Sequence, residues 1–295
     1  MSTTVPQSAS TGIGALLELG KLRLSSMAVF AVVAGLWLGT HQGRDPSLKL
    51  VVLTTVGTLL VAAGGSALNM LIERVPDSRM ERTKGRPLPT GRLSPRTALA
   101  FGLGSVSFGL ALLAWSTNAL ATTLCAAIAA TYVLVYTPLK RITTLNTLVG
   151  AVPGALPPVV GYAAMTGTID MRAIVLFWIL FFWQIPHFLA IAWRHRVDYE
   201  RGGMKMLPSV DPNGRLTSVQ MVVYTLALIL TTLFGWQVGL AGELYLIAAL
   251  LLGVALLTQV ALAATARSDQ AMKRCFHATI VYLPLLLVVM MIDRV

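Results

Sequence analysis

Charge is what this sequence has least of. Of its 295 residues only 12% are Asp, Glu, Lys or Arg, and 56% are hydrophobic, whereas a water-soluble domain carries about a quarter charged residues. With a positive mean hydropathy, that scarcity excludes an ordinary soluble fold. Cysteine is nearly absent too. Cys125 and Cys275 each sit in an apolar run with no Cys or His partner at ligand spacing, so they read as small core residues and not as disulfide or metal groups. The ten-residue alternation of a membrane β-barrel is missing. Residues 1–20 contain neither Lys nor Arg. A secretory signal would carry positive charge before its apolar stretch and a mitochondrial presequence would be Arg-rich. The expectation for 1–20 is a mobile tail leading into the first helix.

What is present is a series of apolar runs, at about 22–40, 48–72, 96–115, 118–138, 145–165, 172–192, 216–238, 243–265 and 275–292. A span needs about 20 apolar residues to cross roughly 30 Å of hydrocarbon, and a helix satisfies its own main-chain polar groups there. The chain is thus expected to be an all-α integral membrane protein. About nine transmembrane helices would form one bundle over 21–295, leaving no room for a soluble domain.

Loops on the cytoplasmic side of a membrane carry excess Lys and Arg. With the N-terminus inside and nine spans, 19 of the 23 basic residues fall inside, and only Arg44, Lys49, Arg172 and Arg294 outside. Eight of the 12 acids also fall inside, so that face carries the whole net charge of +11. Nucleic acid is a poor partner for a membrane-bound basic face. Anionic headgroups of the bilayer are the plain explanation, and an anionic substrate is the sharper one.

The inside loop after the second run holds Asn69, Glu73 and Asp77 at four-residue spacing, which puts three oxygen-bearing groups on one helical face. Pro76 can bend that turn. Such a set suits a hydrated divalent cation; magnesium is typically held by one or two carboxylates together with substrate phosphates. Arg79, Arg82, Lys84 and Arg86 follow closely, and Arg meets phosphate in bidentate fashion. A solvated, salt-bridged juxtamembrane loop fits the same spacing. A second cluster, Arg194, Arg196, Asp198, Glu200, Arg201 and Lys205, follows the sixth run on the same side, and Tyr136, Lys140 and Arg141 end the fourth. Four spans separate the two acidic clusters, which hints at a duplicated helical unit.

The Asn69/Glu73/Asp77 run resembles the first Asp-rich motif of the UbiA-type intramembrane prenyltransferases, Tyr136 to Lys140 matches their YxxxK element, and Asp198 falls at their second Asp-rich motif. Within that superfamily the stretches Arg79 to Pro89, Tyr136 to Asn146, Trp183 to Phe188 and Asp198 to Pro208 are similar to the haem-modifying branch, with Pro186-His187-Phe188 its most distinctive element. Two positions depart from the pattern. Glu73 stands where the superfamily has Asp, and Gly202 stands four residues beyond Asp198, where a second acid belongs.

The resemblance implies a UbiA-type fold in a bacterial inner (plasma) membrane, with the N-terminus and site loops cytoplasmic and the C-terminus outside. It implies transfer of a farnesyl group from farnesyl diphosphate to a vinyl group of haem B, with water supplying a hydroxyl. Asn69, Glu73, Asp77 and Asp198 would hold Mg²⁺. Arg79, Arg82, Lys84, Arg86, Lys140 and Arg141 would grip the diphosphate. His187, about a turn and a half inside its helix, is a functional candidate by its depth; it would ligate haem iron, donate to a propionate or position the water. The product would pass to a downstream haem A synthase or terminal oxidase assembly. A superfamily member acting on an aromatic or quinone precursor is the nearest alternative. A transporter is the alternative of another class, but it would carry acids and broken helices near the midplane, whereas here the acids gather at one interface.

Overall fold

The computed structural model describes residues 12–40 and 45–295, with backbone alone for 22–26. Residues 1–11 of the expected tail, His41 and Arg44 lie outside the described residues. The chain is a helical bundle. In order, its helices are α1 (Ile13–Leu19), α2 (Leu22–Leu38), α3 (Leu48–Ile72), α4 (Arg74–Arg79), α5 (Pro95–Ser116), α6 (Ala119–Ala130), α7 (Thr137–Leu139), α8 (Asn146–Ala155), α9 (Pro157–Thr166), α10 (Met171–Arg194), α11 (Arg196–Arg201), α12 (Leu207–Val210), α13 (Arg215–Gln237), α14 (Glu243–Ala266) and α15 (Asp269–Ile292). A π-helical turn, Thr131–Tyr136, joins α6 to α7.

Among the described residues eight segments are long and apolar enough to cross a membrane, counting Ala119–Leu139 and Asn146–Thr166 as one span each. Helix α2, at 17 residues, is a shorter ninth. Each of the nine apolar runs of the sequence therefore falls on helix, eight of them of spanning length and the first shorter. Phe108, Trp115, Leu230 and Leu251 are exposed on the bundle's outside; a monomer in water rarely tolerates so much apolar surface, and a bilayer covers it.

Two readings need correction. Part of the segment expected as a mobile tail is α1, whose Ala15 and Leu19 are fully buried. Leu19 packs with Ala67, Met70, Leu88 and Ala98, so apolar side chains dock the segment onto α3 and the loop beyond it. The last span also begins earlier than its apolar run. Ser268 accepts a hydrogen bond from Ala271 N and starts α15 at Asp269, and the exposed Lys273 and Arg274 ride on its first polar turns.

Side-chain caps start most of the long helices. Ser47, Ser94, Asn118 and Asp170 each accept main-chain N–H groups, typically worth about 1 kcal/mol apiece. Asp170 also accepts from Tyr162 Oη at 2.6 Å, which fastens α10 to α9. Between α8 and α9 the helix breaks at Leu156, because Pro157 and Pro158 supply no N–H to continue it.

Small residues decide how closely the spans approach, as is usual where lipid competes for every apolar contact. A methyl added at Gly64 of α3 would come within 2.5 Å of Gly102 O of α5, and one at Gly109 of α5 within 2.7 Å of Gly57 O. Added methyls at Gly35 and Gly161 would overlap the main chains of α9 and α2 respectively. The α3–α5 contact lies along the helix whose C-terminal end carries Asn69.

The charged ends gather on two rims. On the basic rim, α3 runs through Glu73 into the six-residue helix α4, and α10 runs through His195 into the six-residue helix α11. The two cluster-bearing ends share one plan. On the opposite rim Trp37 Nε1 donates to Met291 O at 3.2 Å, and Arg294 donates to Thr40 Oγ1 and Asp45 Oδ1, each at 2.7 Å. The first and last spans are joined there.

The glycine contacts are testable. Gly64→Ala is expected to lower the melting temperature of the detergent-solubilised protein by the equivalent of about 1–3 kcal/mol, the usual cost of overpacking. Gly104→Ala, where an added methyl meets nothing within 4 Å, is expected to be neutral or to stabilise by up to about 1 kcal/mol. Equal shifts in the two melts would dismiss the close α3–α5 contact.

Candidate active site

Asn69, Glu73 and Asp77 lie where their spacing predicts. Pro76 sits early in α4, where its missing N–H does no harm, and the chain keeps winding to bring Asp77 beneath Glu73. All three are buried, Asp77 completely. Glu73 Oε1 accepts from Lys140 Nζ at 2.8 Å, and Asp77 Oδ2 accepts from Arg86 Nη1 at 2.7 Å. Asn69 Nδ2 donates to Thr137 Oγ1 at 3.0 Å, and Asn69 Oδ1 faces Lys21 Nζ at 3.5 Å. Asp77 Oδ1 is buried without a hydrogen-bond partner, as a buried carboxylate oxygen rarely is.

The π-helical turn explains how Lys140 reaches Glu73. Thr137 N–H and Thr137 Oγ1 both donate to Tyr132 O, the hydroxyl at 2.8 Å, which holds the wider turn. Thr137 in turn accepts from Asn69, so the turn is locked to the acidic face. Tyr136 lies across Gly150, where a methyl would meet its ring at 2.5 Å, and Lys140 Nζ sits 4.5 Å from its ring centroid. Burial disfavours the Lys140 ammonium, but Tyr136 and Glu73 beside it more than offset this and hold its pKa above the ordinary lysine value. For Lys21, burial first, then Arg86 and Lys140, lower the pKa to about 7.

Asp198 is placed differently. Its Oδ1 and Oδ2 accept from the main-chain N–H groups of Glu81 and Arg82 at 3.2 and 3.1 Å. It therefore latches α11 onto the loop that follows α4. Met80, Met204 and Met206 pack together beneath this latch with Ala192. Arg82 reaches Tyr199, with its guanidinium 5.7 Å from the ring centroid. Of the six bases expected to grip diphosphate, Arg86 and Lys140 are in the cluster and Arg82 is at its edge. Arg79, Lys84 and Arg141 are exposed on the rim, and Lys84 pairs with Glu81. Among the described residues no three His, Cys, Asp or Glu side chains form a metal cage.

His187 lies two turns, ~10 Å, below the end of α10. Its ring is stacked between Trp183 at 4.9 Å and Phe276 at 5.0 Å. Nδ1 is 2.8 Å from Thr279 Oγ1, whose hydroxyl has its own acceptor in Phe276 O at 2.6 Å. The Thr279 proton is thus committed, so Nδ1–H donates and Nε2 keeps a lone pair. His195 stands near the rim, the His277 ring lies 5.5 Å from the outer member of the stack, Phe276, and both cysteines are buried packing residues as expected.

Sequence reasoning missed Lys21, Thr137 and Thr279. A lysine before an apolar run reads as an orientation signal, and a threonine within a span reads as ordinary helix; neither spacing nor composition separates these three from their many equivalents.

A membrane-spanning helical bundle with buried carboxylates and cations at one rim is the architecture shared by intramembrane prenyltransferases. The chain belongs to the UbiA prenyltransferase family, whose pattern matches residues 28–281. The protoheme IX farnesyltransferase of Solibacter usitatus (strain Ellin6076) is 41% identical to it over 285 residues, covering 94% of this chain and 98% of that protein. A digeranylgeranylglyceryl phosphate synthase structure superposes with a TM-score of 0.79 at 15% identity, over 95% of this chain and 98% of the other. A UbiA homologue from Archaeoglobus fulgidus bound to GPP and Mg²⁺ gives a TM-score of 0.66 at 15% identity, over 94% and 99%.

The two ion pairs of the loop separate buried from exposed charge. Arg86→Met strands the fully buried Asp77, and is expected to destabilise the protein by about 3–5 kcal/mol in detergent unfolding. Lys84→Met breaks a pair that is more than half exposed on both sides, and is expected to cost under about 1 kcal/mol. Similar losses from the two variants would show that Arg86 does not carry the Asp77 charge.

Proposed function

We propose that this protein transfers the farnesyl group of farnesyl diphosphate to a vinyl group of haem B and, with water, forms haem O. The observation that carries the reading is the pairing of two different sites in one bundle. A buried acid–base cluster lies at the rim, and below the end of α10 lies a histidine whose free lone pair is held in an aromatic stack. The 41% identity to a protoheme IX farnesyltransferase supports the same substrates, and the solved relative bound to GPP and Mg²⁺ supports a prenyl diphosphate with a divalent metal.

The residues fit magnesium. Asn69, Glu73 and Asp77 offer only oxygen, the donor magnesium prefers, and Asp77 Oδ1 has no other partner. When bound, Mg²⁺ neutralises charge developing on the departing diphosphate. In this reading Asn69, Glu73 and Asp77 hold it, and Asp198 holds the loop that carries Arg82 and Arg86. Lys140 and Arg86 turn from their carboxylates to phosphate oxygens, and Arg82 closes from the edge. Arg79, Lys84 and Arg141 contribute field from the rim.

The bond between the farnesyl C1 and diphosphate oxygen breaks, and diphosphate leaves with the electron pair. The terminal vinyl carbon of haem B forms a bond to C1, which places positive charge on the carbon beside the porphyrin. Water adds its oxygen there and loses a proton, leaving the hydroxyl. Side chains facing the bundle interior keep water from the first cation. His187 Nε2 either ligates the iron or takes the proton from the adding water. The basic rim faces the cytoplasm of a bacterial cell in its inner membrane, and the product passes to a haem A synthase or a terminal oxidase assembly.

Purified protein given haem B, farnesyl diphosphate and Mg²⁺ is expected to yield a product heavier by one farnesyl group and one hydroxyl group, read by mass spectrometry. EDTA is expected to abolish it. Asp77→Asn should slow turnover at least about 100-fold, the scale of losing one contact to a developing anion. His187→Ala should weaken haem binding if Nε2 ligates iron, or leave binding intact and the hydroxyl missing if it serves the water; farnesyl diphosphate affinity should hold in both cases. Prenylation of 4-hydroxybenzoate with none of haem B would overturn the reading. Reporter fusions at Met1 and Val295 should report opposite sides of the membrane, with Met1 cytoplasmic.

A further inference from the structure

Arg274 lies on α15, one turn and a half from its start at Asp269, where the helix passes from polar to apolar residues. Among the described residues it makes no hydrogen bond and no ion pair. A charged side chain at the edge of a span ordinarily finds a partner. The corner between α14 and α15 gives it none. Arg267 holds that corner at φ 44° and donates to Asn213 O at 3.0 Å and Ala264 O at 3.2 Å. Asp269, the acid of the corner, accepts from Arg196 at 2.8 Å and from Trp193 at 3.0 Å.

Arg274 borders a groove of about 490 Å³ between α14 and α15, whose walls include Gln259, Leu262, Thr265 and Gln270. Leu262 and Thr265 also line a second hollow of about 360 Å³, which continues along α14 past Ala261 to Leu257. The two make one channel from the basic rim into the span. The hydroxyls of Thr258 and Thr265 donate to Val254 O and Ala261 O of their own helix, so the lower part offers only hydrocarbon. Gln259 is the exception. It is half-buried, seven residues or ~10 Å from the end of α14, and its amide has no partner among the described residues. A guanidinium and an amide, both without partners, thus line one groove where polar headgroups give way to hydrocarbon. A phospholipid has its phosphate at that level and its ester carbonyls just beneath.

We propose that this groove binds one anionic phospholipid from the leaflet at the basic rim. Arg274 meets the phosphate, Gln259 donates to an ester carbonyl, and an acyl chain lies along Leu257, Ala261 and Leu262. Basic pockets between spans favour anionic headgroups. A zwitterionic lipid brings a cation that finds no acid here, because Asp269 is already engaged. The site stands apart from the acid–base cluster and does not depend on the prenyl transfer reading. The test titrates the full chain in detergent with phosphatidylglycerol or phosphatidylcholine and counts bound lipid by native mass spectrometry. The wild-type protein is expected to retain one phosphatidylglycerol at concentrations where phosphatidylcholine is lost. Arg274→Gln should weaken that binding about 10-fold, the scale of one charge-assisted hydrogen bond, and Gln259→Leu about three-fold, the scale of a neutral one. Lys273→Gln removes the same charge from an exposed neighbour outside the groove and should change nothing. Equal retention of the two lipids would mean ordinary boundary lipid and overturn the site. Equal losses from Arg274→Gln and Lys273→Gln would reduce it to the diffuse pull of a basic face, which overturns it too. A dimer that Arg274→Gln splits into monomers would put a second copy of the chain in the groove in place of the lipid.

Discussion

Everything at the basic rim follows from one constraint: a charge taken out of water must meet an opposite charge or a ligand. Glu73 with Lys140 and Asp77 with Arg86 satisfy it. Apolar residues of similar size would often be as stable or more so, so these pairs are not there to hold the bundle together. They keep two acids and two bases in a dry place, in the form that the proposed function has a charged substrate and its metal rearrange. The surrounding structure serves that purpose. The α3–α5 glycine contact lies along the helix that ends in Asn69, Thr137 locks the turn that brings Lys140 across, and Asp198 pins the loop from which Arg86 reaches in.

The spans were legible because hydrocarbon is an intolerant solvent, and apolar length alone marks a helix that crosses it. The acidic face was legible for a similar reason: once α3 and α4 are helical, Asn69, Glu73 and Asp77 must line up. What the sequence concealed depends on groups far apart in the chain. Nothing in the neighbourhood of Asp198 says that its oxygens are claimed by the main chain of Glu81 and Arg82. Nothing near Lys21 says that it faces Asn69. The π-helical turn at Thr131–Tyr136 is hidden as well, since its fifth-residue hydrogen bonds leave no mark on an already apolar span.

Gly202 shows how the two similar helix ends have diverged. Where the superfamily pattern has an acid, a methyl group would lie 2.9 Å from Met80 Sδ. The place is taken by a side chain from the loop after the first acidic face. The second helix end thus supports the first: Asp198 caps that loop, Tyr199 receives Arg82, and Gly202 makes room for Met80. The two helix ends share one plan, and in this structure the second is packed against the loop that follows the first.

The opposite rim has a consequence of its own. There Trp37, Thr40 and Asp45 are tied to Met291 and Arg294 across the first and last spans, and among the described residues Asp, Glu, Lys and Arg are confined to the two ends of the bundle. On the proposed function the basic rim admits charged substrates, and the seam between first and last span on the far side then serves as insulation. In an energised membrane a vessel with a charged mouth and a bonded floor can hold diphosphate and water without becoming a leak for protons.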